Sequence, residues 1–514
     1  MAYLASGCNP RQQPAQTLDK PNIVLIMGDD IGFSDLACFG GEIPTPNLDR
    51  LAREGIRFRQ FYNMSKCETT RSVMLTGHYT GDDRSISMAE VLRANGYYTI
   101  HSGKEHFMKW VPKSAYAHNV FHQSYTFWGA NEFLIPPDST FERPFILNGE
   151  ELHARDLYHH GKQFYKTDAF TDFALDKLKE RQNAQAPFFL YLPYGAAHYP
   201  LQARTEDIEK FKGKYRVGWD KLRQKRYEKM IELGILDQKF ALSEATSNIN
   251  KFRGHPNGDL ERRAKIPLYS PWEELSDAEK NELDLEMAVF AAMVHRMDYN
   301  IGRVLAYLDS THLLDNTLVM YLSDNGSCPY DSNRDFDFAP GVAEGYRTLS
   351  AAWANMGNTP FRYFKQFGHE GGAHTHFIAS WPQAIQPGQI TNQPAHLVDI
   401  FPTLLDVAGL EYPASIRNRA SLPLHGQSML PIFQGKVRLA PAQIVSGYQD
   451  RFRMFRQGDW KIVNTNGEGW ELYNLSSDLT EMHDLAGEMP EKLNELKQSL
   501  QTWEASLPGG KAEL

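Results

Sequence analysis

Four short apolar runs punctuate the chain, and each leads directly into a polar cluster. NIVLIMGDD (22–30) carries five apolar residues in a row and closes on Asp29 and Asp30. YYTIHSGKEH (97–106) ends in Lys104 and His106, PFFLYLPYGAAHYP (187–200) reaches His198, and TLVMYLSDNG (317–326) ends in Asp324 and Asn325. Continuous rather than alternating apolar character predicts strands covered on both faces, as in a parallel sheet. Helical periodicity lies between them. SMAEVLRANG (87–96) stops at Gly96, and EMAVFAAMVHRMDYNIGRVLAYLDS (286–310) aligns Met287, Phe290, Ala291, Val294, Met297 and Ile301 on one stripe. Alternating strands and helices predict an α/β fold with helices on both faces of the sheet. Ligands of such sheets bind beyond the carboxyl ends of the strands, so the four polar clusters are expected to face one crevice. One such cluster is equally a strand end meeting solvent. Four of this composition on one rim are not what ordinary turns require.

From about residue 438 the pattern changes. FRMFRQGDWKIVNTNGEGWELYNL alternates apolar and polar residues around turn signals, which predicts a small antiparallel sheet, and PEKLNELKQSLQTWEASL has helical periodicity. The expected organisation is a flexible polar lead-in over 1–20, a main domain over 21–437 and a smaller α+β domain over 438–514. A charged stretch from about Leu201 to Lys280 reads first as solvated helices and second as a wall of the crevice.

Composition narrows the function. The 514 residues carry a net charge of -9, which gives nucleic-acid binding no electrostatic footing. No apolar run is long enough to span a bilayer. The four cysteines (Cys8, Cys38, Cys67, Cys328) show no CxxC pairing, so neither a disulfide scaffold nor a structural zinc site is expected. Cys38 and Cys328 follow two of the polar clusters, and nothing in the sequence pairs them. LASGC, near the start, is similar to the end of a bacterial lipoprotein signal, although the charged and long apolar parts of a signal are missing. The expectation is a periplasmic, cell-surface or secreted protein of a bacterium, with the cytoplasm left open.

The clusters suggest a chemistry. Asp29, Asp30, Asp324 and Asn325 offer side-chain oxygens that suit a hard cation such as Ca²⁺ or Mg²⁺. Arg71, Lys104, His106, His198 and Lys365 add positive or proton-carrying groups, which make sense beside a cation only if the substrate is strongly anionic. Sulfate and phosphate esters fit. A serine hydrolase is disfavoured by the lack of a G-x-S-x-G elbow. Residues 66–77, KCETTRSVMLTG, leave open whether Cys67 is a buried thiol, a metal ligand or a nucleophile.

An ordered set of segments resolves that question. PNIVLIMGDDIGFSDLACFGG, TPNLDRLAREGIRF, CETTRSVMLTG, GKEH, AAHYP, LSDNG, NTPFRYFKQFGHEGG and GDWKIV…ELYNL run nearly the whole chain from Pro21. Together they resemble the formylglycine-dependent (type I) sulfatases of the alkaline phosphatase superfamily, on the bacterial arylsulfatase-like branch. The resemblance implies a large mixed, mostly parallel sheet sandwiched by helices, with a smaller C-terminal α+β domain. It implies that a formylglycine-generating maturase oxidises Cys67 to Cα-formylglycine. One hydroxyl of the hydrated aldehyde attacks sulfur, and the other lets the resulting ester collapse and expel sulfate. Asp29, Asp30, Asp324, Asn325 and residue 67 would bind one calcium ion. Arg71 and Lys104 would hold the hydrate and the sulfate oxygens, and His106 would accept the proton that permits collapse. His198 would protonate the departing alcohol beside Lys365. The substrate expected is a sulfated carbohydrate, attacked at its end, or an aryl sulfate.

The chain departs from the family's Cys-x-Pro/Ala-x-Arg motif by placing Thr69 at the proline or alanine position and Glu68 where a small residue is common. Threonine keeps an extended preference without proline's fixed backbone angle. His369, His374 and His376 are assigned packing or substrate-rim roles. Two alternatives stand beside this reading. One is a phosphodiesterase or phosphonate monoester hydrolase of the same superfamily; the other is a calcium-dependent binder of sulfated glycans with Cys67 unconverted.

Overall fold

The computed structural model of the chain describes residues 20–507 apart from 130–131, 136–143, 154–155, 158–159, 161–162, 182–183, 246–269, 331–332, 334–336, 440–442 and 450. The LASGC segment and part of the charged stretch therefore lie outside the described residues. A mixed, mostly parallel sheet forms the centre. Its strands run in the order Gln389–Thr391, Ile56–Tyr62, His374–Ser380, Thr317–Ser323, Asn22–Gly28, Phe188–Pro193, Tyr98–Glu105, Gln123–Trp128, Phe145–Leu147, Glu150–Leu152.

The four strands read from apolar runs are consecutive neighbours in this order, and all four run parallel. Their carboxyl ends therefore share one edge. Successive residues point to opposite faces. Val24, Ile26, Leu190, Leu192, Val319 and Tyr321 join one apolar core, whereas Ile23, Leu25, Met27, Phe189, Tyr191, Leu318, Met320 and Leu322 join the other. Helices Pro46–Glu54, Lys166–Glu180 and Asp277–Ser310 cover the first face; Cys67–Thr76, Met88–Ala94 and Ile400–Ala408 cover the second. Covering both faces is what a continuous apolar strand demands. Among the described residues no helix is long and apolar enough to cross a membrane.

The long helix bears its predicted apolar stripe inward, but it starts earlier, at Asp277. Its polar first turns are held by a capping box in which Ser276 Oγ accepts from the Glu279 amide and Glu279 accepts from the Ser276 amide at 2.8 Å. The expected helix after Ser87 uses the same device with Glu90. Six further strands in this order escaped the pattern reading, three of them only three residues long. Ile56–Tyr62 alternates and is interrupted by a register shift between Phe58 and Phe61. Gln123–Trp128 is short, and His374–Ser380 opens with polar residues.

That last strand corrects the rim role offered to the histidines. His374 is buried between Glu370 and the Arg59 carbonyl, 2.8 and 2.6 Å away. His376 stacks on Tyr321, and buried His369 meets Glu471 at 2.6 Å. All three serve packing. The charged stretch also needs correction in part. Helix Trp219–Glu232 turns Lys221 and Lys229 outward but buries Arg226 between Asp35 and Glu42, 2.7 Å from each. Asp35 in turn accepts from the Gly32 amide, so this helix braces the turn that follows Asp30.

The C-terminal strands Ile444–Tyr448, Phe452–Gln457, Trp460–Thr465 and Trp470–Asn474 form an antiparallel sheet, and helix Pro490–Ser506 adds Leu496, Leu500 and Trp503 to the same apolar core as the main sheet. The contact with the main body includes a dry ionic cluster. Lys461 lies 2.6 Å from Glu370 and 2.8 Å from Glu481, with no side chain of the three exposed. Burial pushes the Glu370 carboxyl up, but Lys461 and His374 outweigh it and hold the carboxyl well below its ordinary range. Removing the cation leaves two buried carboxylates without it. Lys461→Met is expected to destabilise the fold by about 3–5 kcal/mol, measured by urea unfolding.

Candidate active site

Backbone bonds bring the strand ends together before any side chain contributes. The Asp29 amide donates to Ala196 O at 2.8 Å and Ala197 N donates to Asp29 O at 2.7 Å, stitching the loop that carries His198 to the first strand. Asp30 sits at φ 62°, a left-handed conformation that aspartate tolerates better than most residues. Thr70 Oγ1 donates to Asp324 O at 2.6 Å and tethers the start of the Cys67 helix to the last strand. The loop bearing Lys365 is fixed from two sides. Its amide donates to Ser327 O, and the Gln366 amide donates to Ser65 O. Here Gly326 is required, because a Cβ on it would lie 2.0 Å from Gly371 O.

The side chains form three buried ion pairs. Lys104 Nζ lies 2.6 Å from Asp29 Oδ2, Lys365 Nζ lies 2.5 Å from Asp30 Oδ1, and Arg71 Nη2 lies 2.8 Å from Asp324 Oδ2. Arg71 also approaches Asp29 at 3.9 Å. Burial alone would lower the Lys365 ammonium, but Asp30 and Cys67 raise it well above its ordinary range. Burial and the neighbouring Asp29 push Asp324 up against Arg71, Lys104 and Lys365. Asn325 Nδ2 donates to Asp30 Oδ1 at 2.6 Å. Three oxygens of this group, Asp29 Oδ1, Asp30 Oδ2 and Asn325 Oδ1, are buried without a hydrogen-bond partner. Orphaned carboxylate and amide oxygens are costly in a dry site and are the donors a hard divalent cation takes. The residues fit calcium on that ground. His198 also brings a ring nitrogen within 4.8 Å of ligand atoms of Asp29 and Asp30.

His198 Nδ1 lies 2.7 Å from the Tyr199 carbonyl. A carbonyl only accepts, so Nδ1 carries the proton and Nε2 faces Asp30 Oδ2 at 3.5 Å. Burial, with Lys104 and Lys365 nearby, holds this imidazole well below its ordinary pKa.

Cys67 opens helix Cys67–Thr76 and is buried. Burial raises its thiol, but Lys104, Lys365, Lys66 and His106 together pull it well below the usual range. Its Sγ stands 3.4 Å from His106 Nδ1. Thr69, at the departed motif position, donates to Lys66 O at 2.8 Å within the first helical turn. Asp29, Asp30, Lys104, His106, His198, Asp324 and Asn325 thus lie at one strand-end edge, Cys67 and Arg71 on the helix tethered to it, and Lys365 on a loop tied to it. Two further residues were not recognised there. Glu68 Oε2 lies 3.3 Å from His106 Nε2, and Tyr448 of the C-terminal sheet hydrogen-bonds the Glu68 carboxylate. Glu68 was visible as a departure from the motif; Tyr448 had no signal in its own segment. Burial raises the Glu68 carboxyl, but His106 and Tyr448 bring it down to about 2. Cys38 and Cys328 are separate buried free thiols. Tyr199, Tyr330 and Tyr346 form an aromatic flank beside His198, with Lys365 5.4 Å from the Tyr330 ring centre.

Comparison with known proteins agrees with this geometry. Residues 21–410 match the sulfatase family model, and residues 360–506 match that of the C-terminal region of N-sulphoglucosamine sulphohydrolase. An uncharacterized sulfatase of Schizosaccharomyces pombe is 32% identical over 95% of this chain and 94% of its own. An arylsulfatase of Klebsiella aerogenes is 29% identical over 86% of this chain and 97% of its own. Among solved structures, one captured with its substrate D-glucosamine-2-N,6-O-disulfate superposes with a TM-score of 0.62 at 21% identity, covering 95% of this chain and 98% of that one. The buried acid–cation edge and the near full-length match lead to one assignment: the chain belongs to the sulfatase family, as a sulfuric ester hydrolase of type I within the alkaline phosphatase superfamily.

Proposed function

We propose that the protein hydrolyses a sulfate monoester, R–O–SO₃⁻ + H₂O → R–OH + HSO₄⁻, using residue 67 after its conversion to Cα-formylglycine. The observation that carries this reading is the grouping of three partnerless buried oxygens with Cys67 amid Arg71, Lys104 and Lys365. A formylglycine-generating maturase is the implied partner for the conversion. Asp29, Asp30, Asp324 and Asn325, with residue 67, would hold calcium, which when bound would supply positive charge to the sulfate oxygens.

The remaining work falls to the chain itself. With the carboxylates engaged by the cation, Lys104 and Lys365 can turn from Asp29 and Asp30 to an incoming anion. Their charges, with Arg71, neutralise the spread charge on the transferring sulfuryl group, as in phosphoryl transfer. One hydroxyl of hydrated residue 67 gives up its proton to water and attacks sulfur, and the sulfur–oxygen bond to the alcohol breaks with its electron pair leaving on the alcohol oxygen. His198, neutral at rest with its proton on Nδ1, first takes up a second proton on Nε2 and then hands it to the departing alcohol, while Nδ1 stays committed to the Tyr199 carbonyl. His106 Nδ1 then accepts the proton of the second hydroxyl, allowing the aldehyde to reform and sulfate to leave.

The half-buried Tyr199 and Tyr346 and buried Tyr330 offer ring faces and edges beside His198, which suits a sugar or aryl group carrying the sulfate. The disulfated glucosamine bound by the solved relative and the arylsulfatase name of the bacterial one support a sulfated carbohydrate or an aryl sulfate. A periplasmic or cell-surface location in a bacterium is part of the same reading.

The deciding experiment is the mass of the proteolytic peptide containing residue 67 from protein made beside a matching maturase, followed by turnover assays. A peptide that has lost hydrogen sulfide and gained oxygen, with aryl sulfate turned over faster than an aryl phosphodiester, is the expected result. Faster phosphodiester turnover would move the protein to the phosphodiesterase reading, and an unconverted thiol with glycan binding alone would make it a binder. Chelation of calcium should abolish turnover reversibly. Restoring the ion at 100 times its dissociation constant should recover about 2.7 kcal/mol of stability in thermal unfolding. His198→Ala should slow substrates with poor leaving groups by roughly 10²–10⁴-fold while sparing nitrophenyl sulfate, read from a leaving-group series.

A further inference from the structure

Glu68 directly follows the reactive position, and the first turn of the Cys67–Thr76 helix brings its carboxylate to His106. The imidazole is thereby held at both nitrogens: Nε2 stands 3.3 Å from Glu68 Oε2, and Nδ1 stands 3.4 Å from Cys67 Sγ. A carboxylate can only accept. A neutral imidazole in this setting therefore carries its proton on Nε2 and presents the Nδ1 lone pair to residue 67. The carboxylate is itself held. The Tyr448 hydroxyl reaches it from the end of strand Ile444–Tyr448, and the Tyr448 ring lies under Lys66 at 5.4 Å and Arg451 at 6.0 Å. Lys66 is the residue that caps the Cys67 helix, so the same tyrosine contacts both the helix start and the Glu68 side chain. The Trp128 ring lies nearly perpendicular to the His106 ring, 6.2 Å between centres.

We infer that Glu68, steadied by Tyr448 of the C-terminal sheet, is a positioning residue for the sulfatase reaction: it accepts the His106 Nε2 proton and so aims the Nδ1 lone pair at residue 67. The inference rests on the role given to His106 above. In that step the proton of the free hydroxyl of residue 67 passes to Nδ1. The O–H electron pair becomes the second bond of the carbonyl, and the carbon–oxygen bond to sulfate breaks with its pair leaving on sulfate. The imidazolium so formed lies against the Glu68 carboxylate. The C-terminal sheet thus completes the site rather than only covering the main sheet. A Glu68 that acted only as a favourable charge at the helix start would stabilise the helix without fixing the ring.

Two readouts separate these roles. The first needs no conversion. In a Cys67→Ala protein at about pH 9, where histidine is neutral, the ¹⁵N shifts of His106 should report the proton on Nε2. Adding Glu68→Ala should give a mixture of tautomers, whereas Glu68→Gln, whose amide oxygen still accepts, should keep Nε2–H. The second uses converted enzyme, with conversion of each variant counted by peptide mass. Glu68→Ala should lower kcat by about 10–100-fold with KM within about twofold, and sulfated residue 67 should accumulate in acid-quenched samples. Glu68→Gln should stay within about threefold of the parent. Tyr448→Phe, outside the maturation motif, should shift kcat in the same direction by less. An unchanged tautomer in Glu68→Ala, or an unchanged kcat once conversion is counted, would overturn the inference. A parent enzyme that never carries the aldehyde would instead remove the proposed function, while the tautomer measurement would still decide the role of Glu68.

Discussion

The structure depends on keeping three carboxylates and three cations together in a dry place. Asp29, Asp30 and Asp324 are each matched by one of Lys104, Lys365 and Arg71, and none of the six is appreciably exposed. An isolated buried ion costs several kcal/mol even after relaxation, so the arrangement persists only because each charge has a near partner. The matching is incomplete in one respect. One oxygen each on Asp29, Asp30 and Asn325 has no hydrogen donor. A site balanced in charge but short of donors is poised to take a cation together with an anion. That is the pairing a sulfate ester and a divalent ion present.

The remainder of the fold holds this group in register. Four adjacent parallel strands deliver the acids and Lys104 to one edge. The Gly326–Gly371 contact and the Ser65 and Ser327 carbonyls hold the Lys365 loop against them. Arg226, from the charged stretch, braces the turn after Asp30 through Asp35. The C-terminal sheet is joined through Lys461 and reaches the reactive helix through Tyr448. These contacts come from separated parts of the chain and converge on a few residues, so the site is an outcome of the whole assembly rather than of one loop.

Much of this was legible before any coordinates. The apolar runs ending in Asp29–Asp30, Lys104, His198 and Asp324–Asn325 are strands whose ends must leave the core, and parallel pairing places such ends together. Periodicity failed where burial and polarity disagree. His374 and His376 begin a buried strand because Glu370, Arg59 and Tyr321 receive them, and no local pattern announces those partners. Arg226 reads as a solvated helix residue until Asp35 and Glu42 are brought to it. The polar first turns of the Asp277 helix are set by the Ser276–Glu279 capping box, which apolar spacing does not register.

The sequence by itself determined the chemistry on offer: which acids, cations and imidazoles stand at strand ends, and that Cys67 sits in a sulfatase-like motif. Those follow from local pattern, because strand burial and residue chemistry are properties of short segments. Tertiary structure decided how the groups are paired. It set Lys104 on Asp29 and Lys365 on Asp30, buried the three histidines near Lys365 away from the site, and placed Tyr448 behind Glu68 and His106. The physical reason is range. Ion pairs and hydrogen bonds act over a few ångströms in space, and their partners here come from residues far apart along the chain.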